Sequence, residues 1–217
     1  MNASPRFADR RDAGRQLGEL LNTRRNDRPI VLGLARGGVP VAFEVARVLH
    51  CPFDVLVVRK LGVPSRTELA FGAIGEDGVQ VFNGPMIRRL GLSRRRIARV
   101  IERERAELDR RVQRYRAVRS EIEVRARPVV IVDDGLATGA TARAACDVAR
   151  ARGASDVLVA VPVSPPETIV EMKRTGIDVI ALTVPNDFRA VGEWYDDFNQ
   201  TTDSEVIALL GLAGQAG

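Results

Sequence analysis

Two adjacent acids close an apolar run, Val129-Val130-Ile131-Val132-Asp133-Asp134. Four consecutive branched aliphatic residues read as a strand buried on both faces, the kind found in parallel sheets. A loop of small residues follows, Gly135-Leu136-Ala137-Thr138-Gly139-Ala140-Thr141, and leads into a helix-like stretch, residues 140–152, that stops at Gly153. In open α/β sheets the carboxyl ends of the strands face the ligand crevice. Free N–H groups at a helix start favour an anion. Gly135 and Gly139 permit a tight turn and close backbone approach, and the hydroxyls of Thr138 and Thr141 can donate to phosphate oxygens. Carboxylates repel a phosphate, so the acids belong beside it, on vicinal hydroxyls. A sugar phosphate answers both halves: Asp133 and Asp134 on a ribose diol, and Gly135 with Ala137–Thr141 around the 5-phosphate. A Walker-type loop would need Gly-Lys-Ser/Thr, and no lysine stands here.

Three other places carry groups of the right chemistry. After an earlier apolar strand, residues 30–34, comes Ala35-Arg36-Gly37-Gly38. Its glycines would bring backbone N–H groups to an anion, and Arg36 would add charge; taken alone, a Gly-Gly turn is more often a plain strand–helix connection. Arg59 and Lys60 precede a polar, turn-rich stretch holding Gly62, Pro64 and Ser65. Near the C-terminus Phe188, Trp194, Tyr195 and Phe198 concentrate aromatic rings in a chain that is only 5% aromatic. Such rings stack on planar ligands, or they form a satellite cluster against the C-terminal helix.

The stretch 129–141 resembles the signature of the type I phosphoribosyltransferases: two acids, small residues and Thr-Gly-x-Thr. The resemblance implies a substrate, 5-phosphoribosyl 1-diphosphate, with Asp133 and Asp134 on the ribose 2- and 3-hydroxyls. It implies that Ala35, Arg36, Gly37 and Gly38 form the pyrophosphate loop, with a cis peptide near Ala35–Arg36. Arg59 and Lys60 then match in place the start of the family's mobile loop and would meet the pyrophosphate. With Asp133, Asp134, Arg36 and Lys60 as catalytic groups, the reaction transfers the 5-phosphoribosyl group to a small nitrogenous acceptor and releases pyrophosphate. Mg²⁺ is the implied cofactor, held mainly by substrate and water. Residues 185–202 resemble the hood that covers the base, with Phe188, Trp194 or Tyr195 stacking on it. Asp196 falls four residues after Gly192, as an acid does in purine-specific relatives, and is the candidate metal ligand. Two departures narrow the expectation. Some relatives place an acid, a candidate proton acceptor, where this chain has Ala137. The segment 161–164 also lacks the lysine that reads the oxo group in 6-oxopurine enzymes.

The elements that must position these residues follow from periodicity. Residues 8–25 read as an amphipathic helix with Ala13, Leu17, Leu20 and Leu21 on one face. Helices at 39–49, 140–152 and 165–175 alternate with apolar strands at 30–34, 53–58, 129–132, 157–161 and 177–184. This pattern is α/β with a mainly parallel twisted sheet flanked by helices. Residues 71–74 and 79–82 fit a hairpin. Ser93 is a good N-cap for a helix of about seven turns at 3.6 residues each, with Ile97, Ile101, Leu108, Val112 and Tyr115 as its apolar stripe. The length suits one domain, 1–217, in which 83–127 is a helical insertion.

Charge is concentrated in that insertion. Residues 93–120 hold eleven arginines and four acids, whereas the rest of the chain holds 22 basic and 24 acidic residues. The rival to an enzyme is therefore a regulator on the same fold that senses the sugar diphosphate and lays this helix on nucleic acid. A helix packed on its own protein is the commoner arrangement. Covering the site and building a homodimer interface are its other expected uses, and a ribosyl-phosphate hydrolase or mutase is a weaker third reading. His50 is the one histidine, and Cys51 and Cys146 show no ligand spacing, which argues against a zinc site and a Ser-His-Asp or Cys-His hydrolase. No apolar run nears the ~20 residues of a membrane span, and the first residues lack a signal-peptide shape, so a cytoplasmic protein is expected.

Overall fold

The apolar runs become the strands that periodicity assigns to them. In the computed structural model, which describes residues 6–63 and 66–214, the chain passes through α1 (Arg10–Leu20), β1 (Ile30–Leu34), α2 (Gly38–Leu49) and β2 (Phe53–Leu56). An antiparallel ribbon follows: β3 (Val58–Val63), β4 (Arg66–Gly75) and β5 (Gln80–Phe82). A short α3 (Gly84–Arg89) and a long α4 (Arg94–Arg116) come next. The chain then returns through β6 (Pro128–Val132), α5 (Ala140–Ala151), β7 (Asp156–Val163), α6 (Pro166–Arg174), β8 (Asp178–Thr183) and α7 (Asp203–Gly214).

Five strands form a parallel sheet in the order β2-β1-β6-β7-β8. From β1 the chain builds outward to β2; from β6 it builds the other way. The order therefore reverses between β1 and β6, and a crevice opens at their carboxyl ends. Both loops that sequence marked as anion cradles, 35–38 and 135–141, leave from those two ends. Along β6 the side chains alternate between two cores. Val130 and Val132 join Val39, Val45 and Leu49 on one face; Val129 and Ile131 join Ala145 and Val148 on the other. Each face is closed by a helix, so the crevice has a rigid floor.

The ribbon corrects one expectation. Residues 59–63 are not part of a loop, because they pair with β4: Arg59 lies opposite Ile74 and Lys60 opposite Ala73. Pro64 and Ser65, part of the stretch read as mobile, lie outside the described residues. The 71–74/79–82 hairpin is present as β4 and β5.

Helix α4 starts at the Ser93 cap, whose hydroxyl accepts from the Arg96 N–H at 3.3 Å, and runs 23 residues to Arg116, close to the expected length. Its buried residues are Val100, Glu104, Leu108 and Tyr115, with Ile97, Ile101 and Val112 partly buried. The stripe is thus wider than expected and includes a carboxylate. Arg116 pins the C-terminal end. It donates to Asp54 at 2.8 Å and to Glu76 at 2.7 Å, both buried, and to the Val55 carbonyl.

Candidate active site

At the end of β6, the Asp134 N–H donates to Asp133 Oδ1 at 2.9 Å, which sets the two carboxylates in fixed relation. The glycines of the 35–38 turn lie against them. A side chain at Gly37 would collide with the Asp134 carboxylate, and one at Gly38 with the backbone at Val132–Asp133. The peptide between Ala35 and Arg36 is cis, as the resemblance implies. The two loops are therefore one site.

The small-residue loop is held by its carbonyls. Thr168 Oγ1, from α6, donates to Ala137 O at 2.6 Å, and Arg143 Nη2 donates to Thr138 O at 2.6 Å. The Leu136 N–H is bound by Val163 O at 2.9 Å. Ala137, Thr138 and Thr141 are exposed, and the loop runs straight into α5, whose first N–H groups have no partner within the helix. Gly139 makes that entry with φ +66 and with Met172 and Thr168 packed where a side chain would stand, so only glycine fits.

A cation that sequence did not single out sits on the acid pair. Arg10 Nε, from α1, donates to Asp134 Oδ2 at 2.9 Å, and its Nη1 donates to Asn199 O at 2.6 Å. The guanidinium lies 3.9 Å from the centroid of the Phe198 ring. Burial, and then the charge of Asp134, push the Asp133 carboxyl well above its usual range. Burial also raises Asp134, with Arg10 opposing. Two neighbouring carboxylates that resist ionising together are ready to take up donors, hydroxyls included.

The other cations face carboxylates too. Arg36 Nη1 lies 3.9 Å from Asp203 Oδ1, at the start of α7. Arg59 donates from Nε and Nη2 to Glu104 Oε2 of α4, at 2.9 and 2.6 Å. Lys60 is half-buried on β3.

The aromatic segment differs from its expected role. Trp194 and Tyr195 are 7% and 4% exposed, inside a small core with Phe7, Ala13 and Val163. The N-terminal segment closes over them: the Phe7 N–H donates to Trp194 O and the Asp196 N–H to Phe7 O, each at 2.9 Å. Phe7 and Phe198 lie 5.4 and 5.0 Å from the Tyr195 ring, and the Tyr195 hydroxyl donates to Asp134 O at 2.6 Å. Neither ring has a free face for a base. The Tyr195 hydroxyl braces the acid pair instead, and Phe188 is the half-buried ring of the three. Asp196 is exposed, and among the described residues no three His, Cys, Asp or Glu side chains converge as a metal cluster would.

A family model described as "Phosphoribosyl transferase domain" matches residues 8–198. The chain belongs to this family. Two proteins of Mycobacterium tuberculosis, from strains CDC 1551 and H37Rv, are each named "Putative phosphoribosyl transferase". Each is 52% identical to it over 207 residues, or 95% of this chain. The chain spans about half the length, 47%, of these curated relatives. The crystal structure of TT1426 from Thermus thermophilus superposes with a TM-score of 0.89 at 46% identity, covering 95% of this chain and 98% of that one. The matched family region takes in α1 and α4 as well as the sheet. No helix among the described residues is long and apolar enough to cross a membrane.

Proposed function

We propose that this phosphoribosyl transferase domain moves the 5-phosphoribosyl group of 5-phosphoribosyl 1-diphosphate to a nitrogenous acceptor and releases pyrophosphate. The observation that carries this is the meeting of two loops at the reversal of strand order, one with a paired carboxylate and the other with glycines packed against it. Asp133 and Asp134 accept the ribose 2- and 3-hydroxyls. Gly135 and Ala137–Thr141 surround the 5-phosphate. Ala35, Arg36, Gly37 and Gly38 take the diphosphate, with Arg59 and Lys60 on the adjoining ribbon.

The acceptor nitrogen attacks C1 as the C1–oxygen bond to diphosphate breaks, and the electron pair leaves with the diphosphate. The sugar passes through an oxocarbenium-like state, so positioning and charge stabilisation do most of the work. The acceptor's proton goes to a group other than residue 137, since Ala137 has none to receive it. Mg²⁺ fits this site as an ion carried in by its polyanionic substrate, beside Asp133 and Asp134, where it would neutralise diphosphate oxygens as the bond breaks. Phe188 is the ring best placed to meet the base. In domain terms, residues 83–127 are a helical elaboration on one domain and 185–202 its hood.

The test is pyrophosphate release from 5-phosphoribosyl 1-diphosphate and Mg²⁺ against a panel of nitrogenous bases. The Asp133→Asn/Asp134→Asn variant serves as the blank. Release with at least one base, absent from the blank, is expected. No release with any base, together with no binding of ribose 5-phosphate, overturns the proposal.

A further inference from the structure

One carboxylate at the mouth of the 35–38 turn is surrounded by more cations than it can neutralise. Asp203 accepts from Arg114 Nη1 at 2.9 Å and from the Tyr115 hydroxyl at 2.8 Å. Arg110 Nη1 lies 3.8 Å from it and Arg36 Nη1 3.9 Å. Arg111 is close enough to Asp203 to favour its charge as well. Glu107 is the other acid here; it takes Arg110 at 2.9 and 3.0 Å and Arg111 at 2.8 Å. Four guanidiniums thus meet two carboxylates.

Another side of the same C-terminal turns is balanced the other way. There two guanidiniums, those of Arg116 and Arg152, meet three carboxylates, Asp54, Glu76 and Glu121. A structural ion pair needs no surplus of cations. The surplus at Asp203 lies beside Arg36 and on a half-exposed edge, with the Arg110 and Arg114 side chains 45% and 52% exposed. Guanidiniums of this density suit an anion with several oxygens and more than one charge.

Resting on the function proposed above, we infer that Arg110, Arg111 and Arg114 of α4 join Arg36 to form the receiving site for the diphosphate group, with Asp203 as the carboxylate that occupies it in the absence of ligand. This side of the arginine-rich helix is then part of the substrate site, and three of its arginines have a role that needs no nucleic acid. Asp203 keeps the cluster assembled and makes way for a stronger anion.

The experiment measures two ligands by calorimetry, inorganic pyrophosphate with Mg²⁺ and ribose 5-phosphate, on the same set of proteins. In Arg110→Gln/Arg114→Gln, pyrophosphate affinity should fall about tenfold or more, since each removes a charge-assisted hydrogen bond, while ribose 5-phosphate affinity stays within twofold. Arg95→Gln/Arg99→Gln removes the same charge from exposed positions of α4 and should leave both affinities within twofold. Asp203→Asn keeps an acceptor for Tyr115 and should tighten pyrophosphate binding several-fold. Unchanged pyrophosphate affinity in the Arg110/Arg114 variant overturns the inference. So does an equal loss of both ligands, which would mark a structural role, or an equal loss in the Arg95/Arg99 control, which would mark bulk charge. Wild-type protein that binds ribose 5-phosphate but not pyrophosphate also overturns it, with the ribose-phosphate assignment left standing. Failure to bind either ligand removes both.

Discussion

The two ends of the site are built in opposite ways. The proposed ribose-phosphate end is one continuous stretch between β6 and the first turn of α5, nine residues from Asp133 to Thr141. The proposed diphosphate end is gathered from four places: Arg36 after β1, Arg59 and Lys60 on β3, the arginines of α4 and Asp203 at the head of α7. The first is rigid because backbone carbonyls are tied down by Thr168 and Arg143. The second is held by long side chains on shared carboxylates, which an incoming anion can displace. A chain can keep the sugar's place fixed while leaving the leaving group's cations exchangeable.

The largest effect should come from the rigid end. Asp133→Asn/Asp134→Asn removes two charged acceptors, each worth about 1.5–3 kcal/mol to a hydroxyl donor, so ribose 5-phosphate affinity should drop about 100-fold or more by calorimetry. A loss under fivefold would break the contrast drawn above.

Next, Asp134→Asn alone should cost the unliganded protein about 1–3 kcal/mol, because Arg10 is left buried with a weaker partner; chemical denaturation reads this. Asp133→Asn should do the reverse near neutral pH. The folded Asp133 carboxyl sits above its unfolded value. Its contribution is therefore fully present below the unfolded pKa and is lost as pH rises through the folded one. The variant should lack that decline, and so gain stability relative to wild type as pH is raised from the ordinary Asp range, about 4, upward. Parallel melting curves for the two proteins across that range would show that the acid pair carries no such burden.

The smallest effect belongs to the exchangeable end. Glu104→Gln loosens Arg59 and should strengthen pyrophosphate binding about two- to threefold, with ribose 5-phosphate affinity unchanged, at a stability cost of about 1–3 kcal/mol because Glu104 is buried. A weaker pyrophosphate complex would mean that Glu104 positions Arg59 for the ligand instead of competing with it.

Legibility in the sequence follows the same division. β6, its acids and the loop into α5 are local features, and the alternation of apolar strands with helices was enough to place them on a parallel sheet. β3 was hidden because Gly62, Pro64 and Ser65 read as a turn, while the strand depends on pairing with Ala73 and Ile74. Trp194 and Tyr195 looked available for stacking because nothing near them in the chain announces that Phe7 will cover them. Arg10 and Asp134 are 124 positions apart, and one more arginine on an amphipathic helix gives no local sign of its partner. Glu104 lies outside the apolar stripe that periodicity marks, although burial against Arg59 makes it part of the helix's inner face.

The Phe7 contact also sets an order of events during synthesis. Arg10 and the Asn199 carbonyl that it binds are 189 positions apart, so the residues that brace Asp134 are among the first and the last of the described chain to be made. β1 and β6 can pair, and the 135–141 loop can form, while residues near 195 are still being added. Closing contacts of such long range comes late. A nascent chain thus acquires its sugar-phosphate cradle before the aromatic brace that steadies the acids within it.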